Sequence, residues 1–405
     1  MPRSADRGAW QVTGRSTPRE ILFIFARLGL TCFGGPIAHI GYFRDAFVVR
    51  RRWLDERAYA DLVALCQFLP GPASSQVGFS LGLLRGGYAG GLAAWLGFTL
   101  PSAVALVLFA YGAGALGGPT GAGLLHGLKL VAVAIVAQAV LGMARSLCPD
   151  RSRASIAVAA LGLTIFVPGA PSQIGAITLG AAAGLLFCRD GAVSERDGTA
   201  APVSRRMGLL FLGAFLVLLA LSLAPLHDGT LALFAAFYRS GALVFGGGHV
   251  VLPLLRDAVV VPGWVSDSTF LAGYGAAQAV PGPLFTFAAY LGAVANVPPG
   301  GAAGAAVALV AIFLPGLLAL LGTLPFWHAL RTRTGARAAM RGINAAVVGL
   351  LGAALYDPVW ISAVRGPADF AVAVAGFVLL VVWRAPPLIV VLLSAACGAA
   401  LGSTG

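Results

Sequence analysis

The stretch FARLGLTCFGGPIAHIGYFRDAF at residues 25–47 returns as FYRSGALVFGGGHVVLPLLRDAV at residues 237–259. The two copies keep one offset from end to end, since 237 − 25 = 212 and 257 − 45 = 212. The matched pairs are Arg27 and Arg239, Gly34 and Gly246, Gly35 and Gly247, Arg44 and Arg256, and Asp45 and Asp257. A match of this length at a constant offset indicates an internal duplication.

A second repeated motif follows the first in each half of the chain. CQFLPGP, which starts at Cys66, aligns with AQAVPGP, which starts at Ala277, at an offset of 278 − 67 = 211. This alignment pairs Gln67 with Gln278, Pro70 with Pro281, Gly71 with Gly282, and Pro72 with Pro283. A weaker match, at an offset of 342 − 127 = 215, pairs Gly127 with Gly342 and Lys129 with Asn344. Because glycine permits positive φ and proline lacks an N–H, we expect the apolar helices to break at both the GG and the PGP motifs.

The composition of the chain is typical of a membrane protein. Hydrophobic residues make up 59% of its 405 residues and charged residues only 10%, against roughly 25% charged residues in soluble domains. Apolar runs recur from Ile21 to Leu401, and many reach the roughly 20 residues that a helix needs to cross a bilayer. We therefore expect an all-α polytopic membrane protein, built from two repeats and surrounded by the lipid bilayer.

The distribution of arginines predicts the topology of the first half. Arginines gather in the N-terminal tail and at 44–57, 145–153 and 189–206, whereas the connections at 114–125 and 168–173 carry no charge. By the positive-inside rule the first set is cytoplasmic, so the N-terminus is expected inside. The assignment makes 21–48 and 58–86 re-entrant hairpins and places single spans at about 90–113, 122–145, 153–168 and 172–188.

The second half is predicted to lie upside down relative to the first. Residues 207–226 form an apolar span with no counterpart in the repeat, so the second copy begins on the outer side. The arginines Arg331, Arg333, Arg337 and Arg341 then lie inside, as an inverted repeat predicts, and the C-terminus lies outside. Two parallel repeats are the alternative, but they put those arginines outside and leave the extra span unexplained.

These patterns divide the chain into five segments. They are a cytoplasmic tail at 1–19, the first repeat at 20–190, a basic cytoplasmic linker at 191–206, a linking transmembrane helix at 207–226 and the second repeat at 229–402. The formal net charge of +12 comes mostly from arginines in the loops. Retention of those loops in the cytoplasm explains this charge, so we expect no nucleic-acid partner.

The helix breaks are where an anionic substrate is expected to bind. A broken helix offers unpaired N–H groups and a partial positive charge, and in inverted repeats such half-helices meet near the midplane. The predicted substrate-binding residues are Arg27, Gly34, Gly35, Gln67, Gly71 and Lys129 in the first half, with Arg239, Gly246, Gly247, Gln278, Gly282 and Asn344 in the second. For Arg27, Arg239 and Lys129, snorkelling from a helix end is the alternative.

A second group of residues is expected to shape or gate the breaks. Five are the prolines Pro36, Pro70, Pro72, Pro281 and Pro283. The others are the adjacent charges Arg44–Asp45 and Arg256–Asp257, expected to form structural salt bridges at hairpin ends, with substrate contact as the alternative. A substrate ligand, unlike a structural residue, should change affinity on substitution and leave expression intact.

Three further polar residues lie close to the breaks. Asp61 is a candidate for coupling protons, although Ala272 stands at the equivalent position of the second half. His39 and His249 lie near the first and second FGG motifs at non-equivalent positions. Both histidines are expected to pack or to join polar networks, with proton transfer as the alternative.

The sequence contains no pattern typical of a metal site, a cofactor site or a catalytic centre. Its five cysteines are far apart, and none forms a C-x-x-C pair or stands at ligand spacing from a histidine. H-E-x-x-H, G-x-S-x-G and P-loop motifs are absent. We therefore expect no metal, no cofactor and no enzymatic activity, while a channel stays open beside a transporter.

The repeated F-G-G, R-D, tryptophan and Q-x-x-P-G-P series resembles the chromate ion transporter family in its long, two-domain form. The resemblance covers roughly residues 20–402, and Gly248 departs from the Pro36 of the first half. It implies an inner-membrane protein that exports chromate, a tetrahedral dianion that mimics sulfate, at the expense of the proton-motive force. A sulfate or other oxyanion permease on the same scaffold is the alternative, and a homodimer stays open.

Overall fold

The structure is a computed structural model that describes residues 14–113, 118–167, 170–189, 202–224 and 229–403. All regular secondary structure in these residues is helical, which confirms the predicted fold class.

The described part of the first half contains seven α-helices. They are α1 (Pro18–Thr31), α2 (Gly35–Phe43), α3 (Glu56–Phe68), α4 (Ala73–Ala113), α5 (Gly118–Leu147), α6 (Arg151–Phe166) and α7 (Ala170–Phe187). A π-helical stretch, Arg44–Arg50, continues α2. Side-chain oxygens of Thr17, Asp55 and Asp150 accept backbone N–H groups at the starts of α1, α3 and α6, which explains why these helices begin there.

A linking helix and the second half follow. Helix α8 (Arg205–Ser222) lies where the linking span was predicted. The second half contains α9 (Gly229–Ala242), α10 (Val251–Val259), α11 (Asp267–Ala279), α12 (Phe287–Val294), α13 (Gly301–Thr323), α14 (Trp327–Thr332), α15 (Thr334–Ala354), α16 (Ile361–Ala363), α17 (Pro367–Val381) and α18 (Pro387–Ser403). Short 3₁₀ helices precede α10, α12 and α14, and a π-helical stretch precedes α16.

Helices break at both repeated motifs in both halves. The first FGG motif separates α1 from α2, and the second separates α9 from the 3₁₀ helix Gly248–Val250. The PGP motifs separate α3 from α4, and α11 from the 3₁₀ helix Leu284–Thr286. Gly71 and Gly282, at the centres of the two PGP motifs, have φ angles of 109° and 100°. Glycine adopts this left-handed region without steric cost, which explains why it stands at both positions.

Helix α4 doubles back on itself. Its backbone angles are not helical at residues 86–87, and a side chain at Gly82 would collide with the carbonyl of Gly90. Residues eight apart lie about 12 Å apart in a straight helix, so this contact requires two antiparallel segments. In the second half the equivalent turn separates α12 from α13, and Gly292 and Gly304 make the same close approach.

The two halves exchange their last helices. Helix α5 of the first half packs along α17 and α18 of the second, and α15 packs along α6 and α7 of the first. Glycines permit both crossings, since a side chain at Gly127 would collide with the Ser394 carbonyl and one at Gly342 with the Gly180 carbonyl. Because Gly127 and Gly342 are equivalent residues, these reciprocal contacts relate the halves by an approximate twofold exchange.

Several helices are suited to a bilayer. In the described part of the chain, five helical segments are long and apolar enough to cross it. They are Ala73–Ala113, Gly118–Leu147, Arg205–Ser222, Gly301–Thr332 and Thr334–Ala363. Large apolar side chains on the outside of the bundle, such as Phe166, Leu210 and Trp383, are exposed. The protein is a multi-pass membrane protein whose outer surface is apolar.

Candidate substrate site

Two equivalent hydrogen bonds join each PGP motif to the FGG break of the other half. The Gly71 N–H donates to the Val244 carbonyl at 2.8 Å, and the Gly282 N–H donates to the Cys32 carbonyl at 2.9 Å. Cys32 and Val244 are themselves equivalent, since 244 − 32 = 212. The four breaks therefore meet in reciprocal pairs. The N–H groups of the two PGP glycines hold the halves together.

Each PGP motif also packs tightly against a helix of the other half. A side chain on Gly71 would lie 2.9 Å from the Cα of Gly316, next to the proline inside α13. A side chain on Gly282 would lie 2.8 Å from the Ser102 hydroxyl, next to the proline inside α4. Backbone meets backbone at Gly71, so a side chain there would press on α13, whereas a side chain on Gly282 would first displace the Ser102 hydroxyl and would then lie 3.2 Å from the Phe98 carbonyl.

The two FGG breaks touch each other at equivalent positions. A side chain on Gly248 would lie 3.2 Å from the Cγ atom of Pro36, and 248 − 36 = 212. Equivalent residues in contact lie on the axis that relates the halves. The departure from Pro36 to Gly248 is accompanied by a local difference, because α2 starts directly at Gly35 whereas a 3₁₀ turn precedes α10.

A cavity of about 60 Å³ lies between the first FGG break and the second PGP motif. Gly34 and Gly35 line one side of it, and Gln278 and Gly282 line the other. The remaining lining residues are Ile135, Gln138, His249, Ala277, Val280, Leu284 and Pro387. Four of the predicted substrate-binding residues are thus brought together, and they come from both halves of the chain.

The cavity presents hydrogen-bond donors and no fixed charge. The buried Nε2 of Gln278 has no hydrogen-bond partner among the described residues. Helix α2 begins at its wall, at Gly35, and the first N–H groups of a helix lack intrahelical partners. The described residues that line it include no Asp, Glu, Lys or Arg. This combination of an amide donor and a helix N-terminus is suited to an oxyanion.

Two polar residues of the cavity are not among the predicted substrate-binding residues: His249, which was expected to pack or to join a polar network, and Gln138, which the sequence analysis did not single out. The Nδ1 of His249 lies 2.7 Å from the Tyr274 hydroxyl, which leaves Nε2 as the ring nitrogen available to the cavity. Gln138 donates to a backbone carbonyl of α17 at 3.4 Å. Their repeat counterparts are Ile37, at 249 − 212, and Ala353, at 138 + 215. A search for polar residues present in both halves therefore leaves both residues out. A histidine inside a helix break was the sequence feature that could have indicated His249 as a cavity residue.

The predicted arginines and the first glutamine lie elsewhere. Arg27 and Gln67 are exposed, whereas their counterparts Arg239 and Gln278 are partly buried. Arg239 donates from Nη1 to the Ser222 carbonyl at 2.9 Å and lines two other cavities, of about 20 and 190 Å³. The repeat therefore does not place equivalent side chains in equivalent surroundings.

Side chains of other helices lie near the second FGG break, whereas the nearest atom to a side chain on Gly34 would be the Ala38 Cβ of the following helix, α2, at 3.1 Å, and Gly35 has no atom within 4 Å. A side chain on Gly246 would lie 3.4 Å from the Asn344 Oδ1 and 3.5 Å from methyl groups of Leu147 and Val347. The nearest atom to a side chain on Gly247 would be the sulfur of Met143, at 3.8 Å. The Asn344 Oδ1 is buried without a hydrogen-bond partner among the described residues.

Lys129 is buried in α5, away from the cavity. One turn earlier on the same helix, the His126 Nε2 lies 2.8 Å from the Asp369 carboxylate, and Asp369 also accepts the Arg365 N–H at 2.9 Å. His126, Asp369 and the Arg365 backbone thus form a polar cluster between α5 and the start of α17, one turn of α5 from Lys129.

The repeated Arg–Asp neighbours do not bridge to each other. The Arg44 Nε lies 2.7 Å from Glu56, and the Arg256 Nε lies 2.9 Å from Asp267. Glu56 and Asp267 stand at equivalent positions in the first turns of α3 and α11. Adjacent residues on a helix point in different directions, so each arginine reaches the next helix instead of its neighbour.

The aspartates of the same two pairs have different partners. Asp45 lies 2.8 Å from the Arg50 guanidinium at an exposed site. Asp257 accepts a hydrogen bond at 2.8 Å from the Nε2 of Gln173, which comes from α7 of the first half. The second aspartate therefore joins the two halves, and the first does not.

Asp61 forms a buried ion pair between the halves. Its Oδ1 lies 2.7 Å from the Arg331 Nη1, and the two side chains are only 10% and 12% exposed. The same oxygen accepts the indole N–H of Trp327 at 3.3 Å. The candidate for proton coupling thus connects α3 to α14, and it does not line the cavity.

Comparisons with known proteins agree with the duplication. A sequence profile of the family described as "Chromate transporter" matches residues 19–185 and again residues 231–399. The chain is 30% identical over 390 residues to the chromate transport protein of Pseudomonas aeruginosa, which covers 92% of this chain and 89% of that protein. It is 28% identical to the probable chromate transport protein of Synechococcus elongatus, over 83% of each chain. It is 26% identical to the chromate transport protein of Cupriavidus metallidurans, over 86% of this chain and 84% of that one.

No solved structure gives a significant match. One family profile matches each half separately, and the relatives align over most of their length, so the resemblance extends to both repeats and is not confined to a motif. The protein belongs to the chromate transporter family.

Proposed function

We propose that this protein is a secondary active transporter that exports chromate across the inner membrane and thereby confers chromate resistance. The observation that carries the proposal is the cavity between Gly34–Gly35 and Gln278–Gly282, where the Gln278 Nε2 has no partner and the described lining residues include no carboxylate. Membership of the family supports chromate as the substrate. The sequence contains no P-loop, which supports coupling to an ion gradient or to the membrane potential and not to ATP.

In this proposal the anion is held by neutral donors from both halves. The Gln278 amide donates one hydrogen bond, and the backbone N–H of Gly35, at the start of α2, donates another, since Pro36 has no N–H. A tetrahedral dianion presents four acceptor oxygens, so it can satisfy donors that converge from several directions. A hydrogen bond to a charged group contributes about 1.5–3 kcal/mol, so a few such contacts give substantial affinity.

The two equivalent hydrogen bonds between the halves, which we call the joints, indicate how the site could be exposed to each side of the membrane in turn. The Gly71–Val244 and Gly282–Cys32 hydrogen bonds connect a break in one half to a break in the other. In transporters with inverted repeats, one repeat rocks against the other around a fixed site near the midplane. We propose that these joints keep the four breaks together while the surrounding helices rock.

Inside-out membrane vesicles test the function directly. Vesicles from cells that express the protein should accumulate radioactive chromate, and an uncoupler should abolish the accumulation. Vesicles that contain an equal amount of the Gln278→Ala variant are the matched control and should accumulate much less. Chromate uptake that depends neither on expression nor on the gradient would contradict the proposal. Conductance steps in a bilayer recording would indicate a channel instead.

A sulfate or other oxyanion permease is the second candidate function. The cavity favours it because amides and backbone N–H groups recognise any tetrahedral oxyanion of suitable size, and a fold does not determine a substrate. Sulfate and molybdate should be added as competitors in the vesicle assay. Chromate export predicts that unlabelled chromate competes more strongly than sulfate or molybdate, whereas sulfate competition equal to or stronger than that of chromate would favour the permease.

We also propose the inverted topology, with the N-terminus in the cytoplasm and the C-terminus outside. The positions of the arginines and the reciprocal packing of the halves support it. In a variant without the five native cysteines, single cysteines introduced by Arg52→Cys and Arg333→Cys should both react with impermeant reagents from the cytoplasmic side. Labelling of the two positions from opposite sides would contradict the inversion.

A further inference from the structure

We propose that His249 takes up a proton when an oxyanion enters the cavity, so that proton binding and anion binding are coupled at this residue. The proposal rests on the anion site described above and adds a titratable ligand to it. Three observations support it: the position of the imidazole in the cavity wall, its contact with Tyr274, and the lack of Asp, Glu, Lys and Arg among the described residues that line the cavity.

The position of His249 is set by the second FGG break. The residue lies in the 3₁₀ helix Gly248–Val250, and Gly248 contacts Pro36 of the first break. The imidazole therefore reaches a cavity whose opposite wall is formed by the first break, at Gly34 and Gly35. A side chain here is placed between the two halves, at the point where an anion would contact both.

Tyr274 holds the imidazole in one orientation. Its hydroxyl lies 2.7 Å from the Nδ1 of His249, and the tyrosine side chain is fully buried in α11. A hydroxyl can donate to Nδ1 of a neutral ring and accept from Nδ1–H of a protonated one. The contact therefore accommodates both protonation states, and in both the Nε2–H can point to the cavity.

The electrostatics of the cavity require a counter-charge. A dianion moved from water into a site of low dielectric constant is costly unless a positive charge accompanies it. No charged side chain is present among the described residues that line the cavity, and His249 is the titratable residue among them. A proton on this ring lowers the cost of the anion, and by linkage the anion raises the affinity of the ring for the proton.

The other titratable groups on the surrounding elements have different contacts. On α2, His39 is buried against Phe98 with its Nδ1 3.5 Å from the Ser74 hydroxyl. On α10, Arg256 pairs with Asp267 of α11, and Asp257 accepts from Gln173. On α15, Arg341 donates to the Cys188 carbonyl, and on α5, Arg145 is exposed. These residues, Lys129 and Arg337 are not in the cavity wall.

Equilibrium binding of chromate to the purified full-length protein, measured between pH 5.5 and 8.5, tests the inference. The ring is neutral in the free protein and takes up a proton as the anion enters, so the dissociation constant should rise with pH, by up to tenfold per pH unit, until the complex too no longer holds the proton. Chromate itself takes up a proton near neutral pH, so the informative quantity is the ratio of the variant and wild-type constants at each pH. For His249→Gln this ratio should be large at low pH and should approach one at high pH.

Two further variants keep the test decisive. Tyr274→Phe keeps the packing but removes the acceptor for Nδ1–H, so it should move the pH dependence to lower pH without changing its slope. His328→Gln changes an exposed histidine outside the cavity and should leave the binding curve unchanged. A ratio for His249→Gln that is constant across the pH range would overturn the inference. If His249→Gln fails to fold, a Tyr274→Phe binding curve identical to that of wild type would overturn it instead.

The two proposals fail in different ways. If the wild-type protein binds no oxyanion at any pH, the proposed function fails as well. If it binds chromate and neither variant changes the pH dependence of the dissociation constant, only the role of His249 is refuted.

Discussion

The two pairs of breaks share a backbone arrangement and differ in the side chains around it. Where the first FGG motif faces the second PGP motif, a cavity opens with Gln278 and His249 in its wall. At the second FGG motif, Asn344, Leu147 and Val347 lie against the glycine instead. The hydrogen bonds between motifs are nevertheless equivalent, at 2.8 and 2.9 Å. The hydrogen bond between motifs is thus present in both copies, whereas the polar side chains that line the cavity are present in one.

The residues that follow the two PGP motifs show the same divergence. The first motif continues as PGPASSQ from Pro70, and the second continues as PGPLFTF from Pro281. In the first, the buried Gln76 donates from Nε2 to the Pro70 carbonyl at 2.9 Å and to the Gly316 carbonyl at 2.8 Å. In the second, the Thr286 hydroxyl donates to the Pro283 carbonyl at 2.7 Å, within its own half. The first PGP motif is therefore bound more firmly to the opposite half, and the second stands beside the cavity.

The largest expected effect is common to both halves. Gly71→Ala and Gly282→Ala should each abolish chromate transport and lower the melting temperature of the purified protein. A left-handed backbone costs alanine about 1–2 kcal/mol, and the new methyl group would also press on Gly316 or Ser102. Gly41→Ala, in α2 with no neighbouring atom within 4 Å, is the control and should be tolerated. Normal transport by only one of the two variants would show that the two PGP glycines are not equivalent in function.

The ion pair of Asp61 has no counterpart in the second half, where Ala272 stands at the equivalent position. Asp61→Ala should destabilise the protein by about 3–5 kcal/mol, because it leaves the charge of Arg331 buried without its carboxylate. The double variant Asp61→Ala/Arg331→Ala should be less destabilised than Asp61→Ala alone. Denaturant unfolding in detergent measures both. Equal losses for the single and double variants would show that the two charges are not coupled.

The two glutamines provide the sharpest test of asymmetry. Gln278→Ala should weaken chromate binding about 10- to 100-fold, because a hydrogen bond to a charged group contributes about 1.5–3 kcal/mol. Gln67→Ala, at the equivalent and exposed position, should leave the affinity near that of wild type. The comparison needs only dissociation constants of two purified variants. Similar losses at both positions would mean that the site is symmetric after all.

The smallest expected effect is a difference in melting temperature between variants of the two repeated arginines, Arg44 and Arg256. Arg256→Ala should lower the melting temperature more than Arg44→Ala, because the Arg256–Asp267 side chains are 25% and 39% exposed and those of Arg44–Glu56 are 52% and 56% exposed. High salt should reduce the difference between each variant and wild type, most of all for the exposed pair. A larger effect of Arg44→Ala would indicate that Arg44 has a role other than this ion pair.

Much of the fold could be predicted because the duplication can be detected in the sequence itself. The repeated motifs predicted the positions of the four breaks, and an apolar run with no counterpart in the repeat predicted a span at 207–226, where α8 is observed at Arg205–Ser222. The composition predicted the all-helical class. Glycine and proline produce these features through local backbone chemistry, so a single sequence suffices to locate them.

The candidate site was predicted only in part, for a physical reason. Looking for residues present in both halves selected Arg27 and Gln67, which are exposed, together with Arg239 and Gln278, which are partly buried. The side chain that a helix presents to a cavity depends on how the halves pack, and that packing is not visible in the repeat. His249 and Gln138 entered the cavity through this packing, and neither has a polar counterpart in the other half.

An FGG motif of one half meets a PGP motif of the other half at two equivalent places, and we infer that the anion binds at only one of them, between the first FGG motif and the second PGP motif. A crystal structure of the protein with bound chromate, with data collected at the chromium absorption edge, tests it most directly. The account predicts an anomalous peak between Gly34–Gly35 and Gln278, within hydrogen-bonding distance of the Gln278 Nε2. A peak beside Gly246 and Asn344, or beside Arg239, would contradict it.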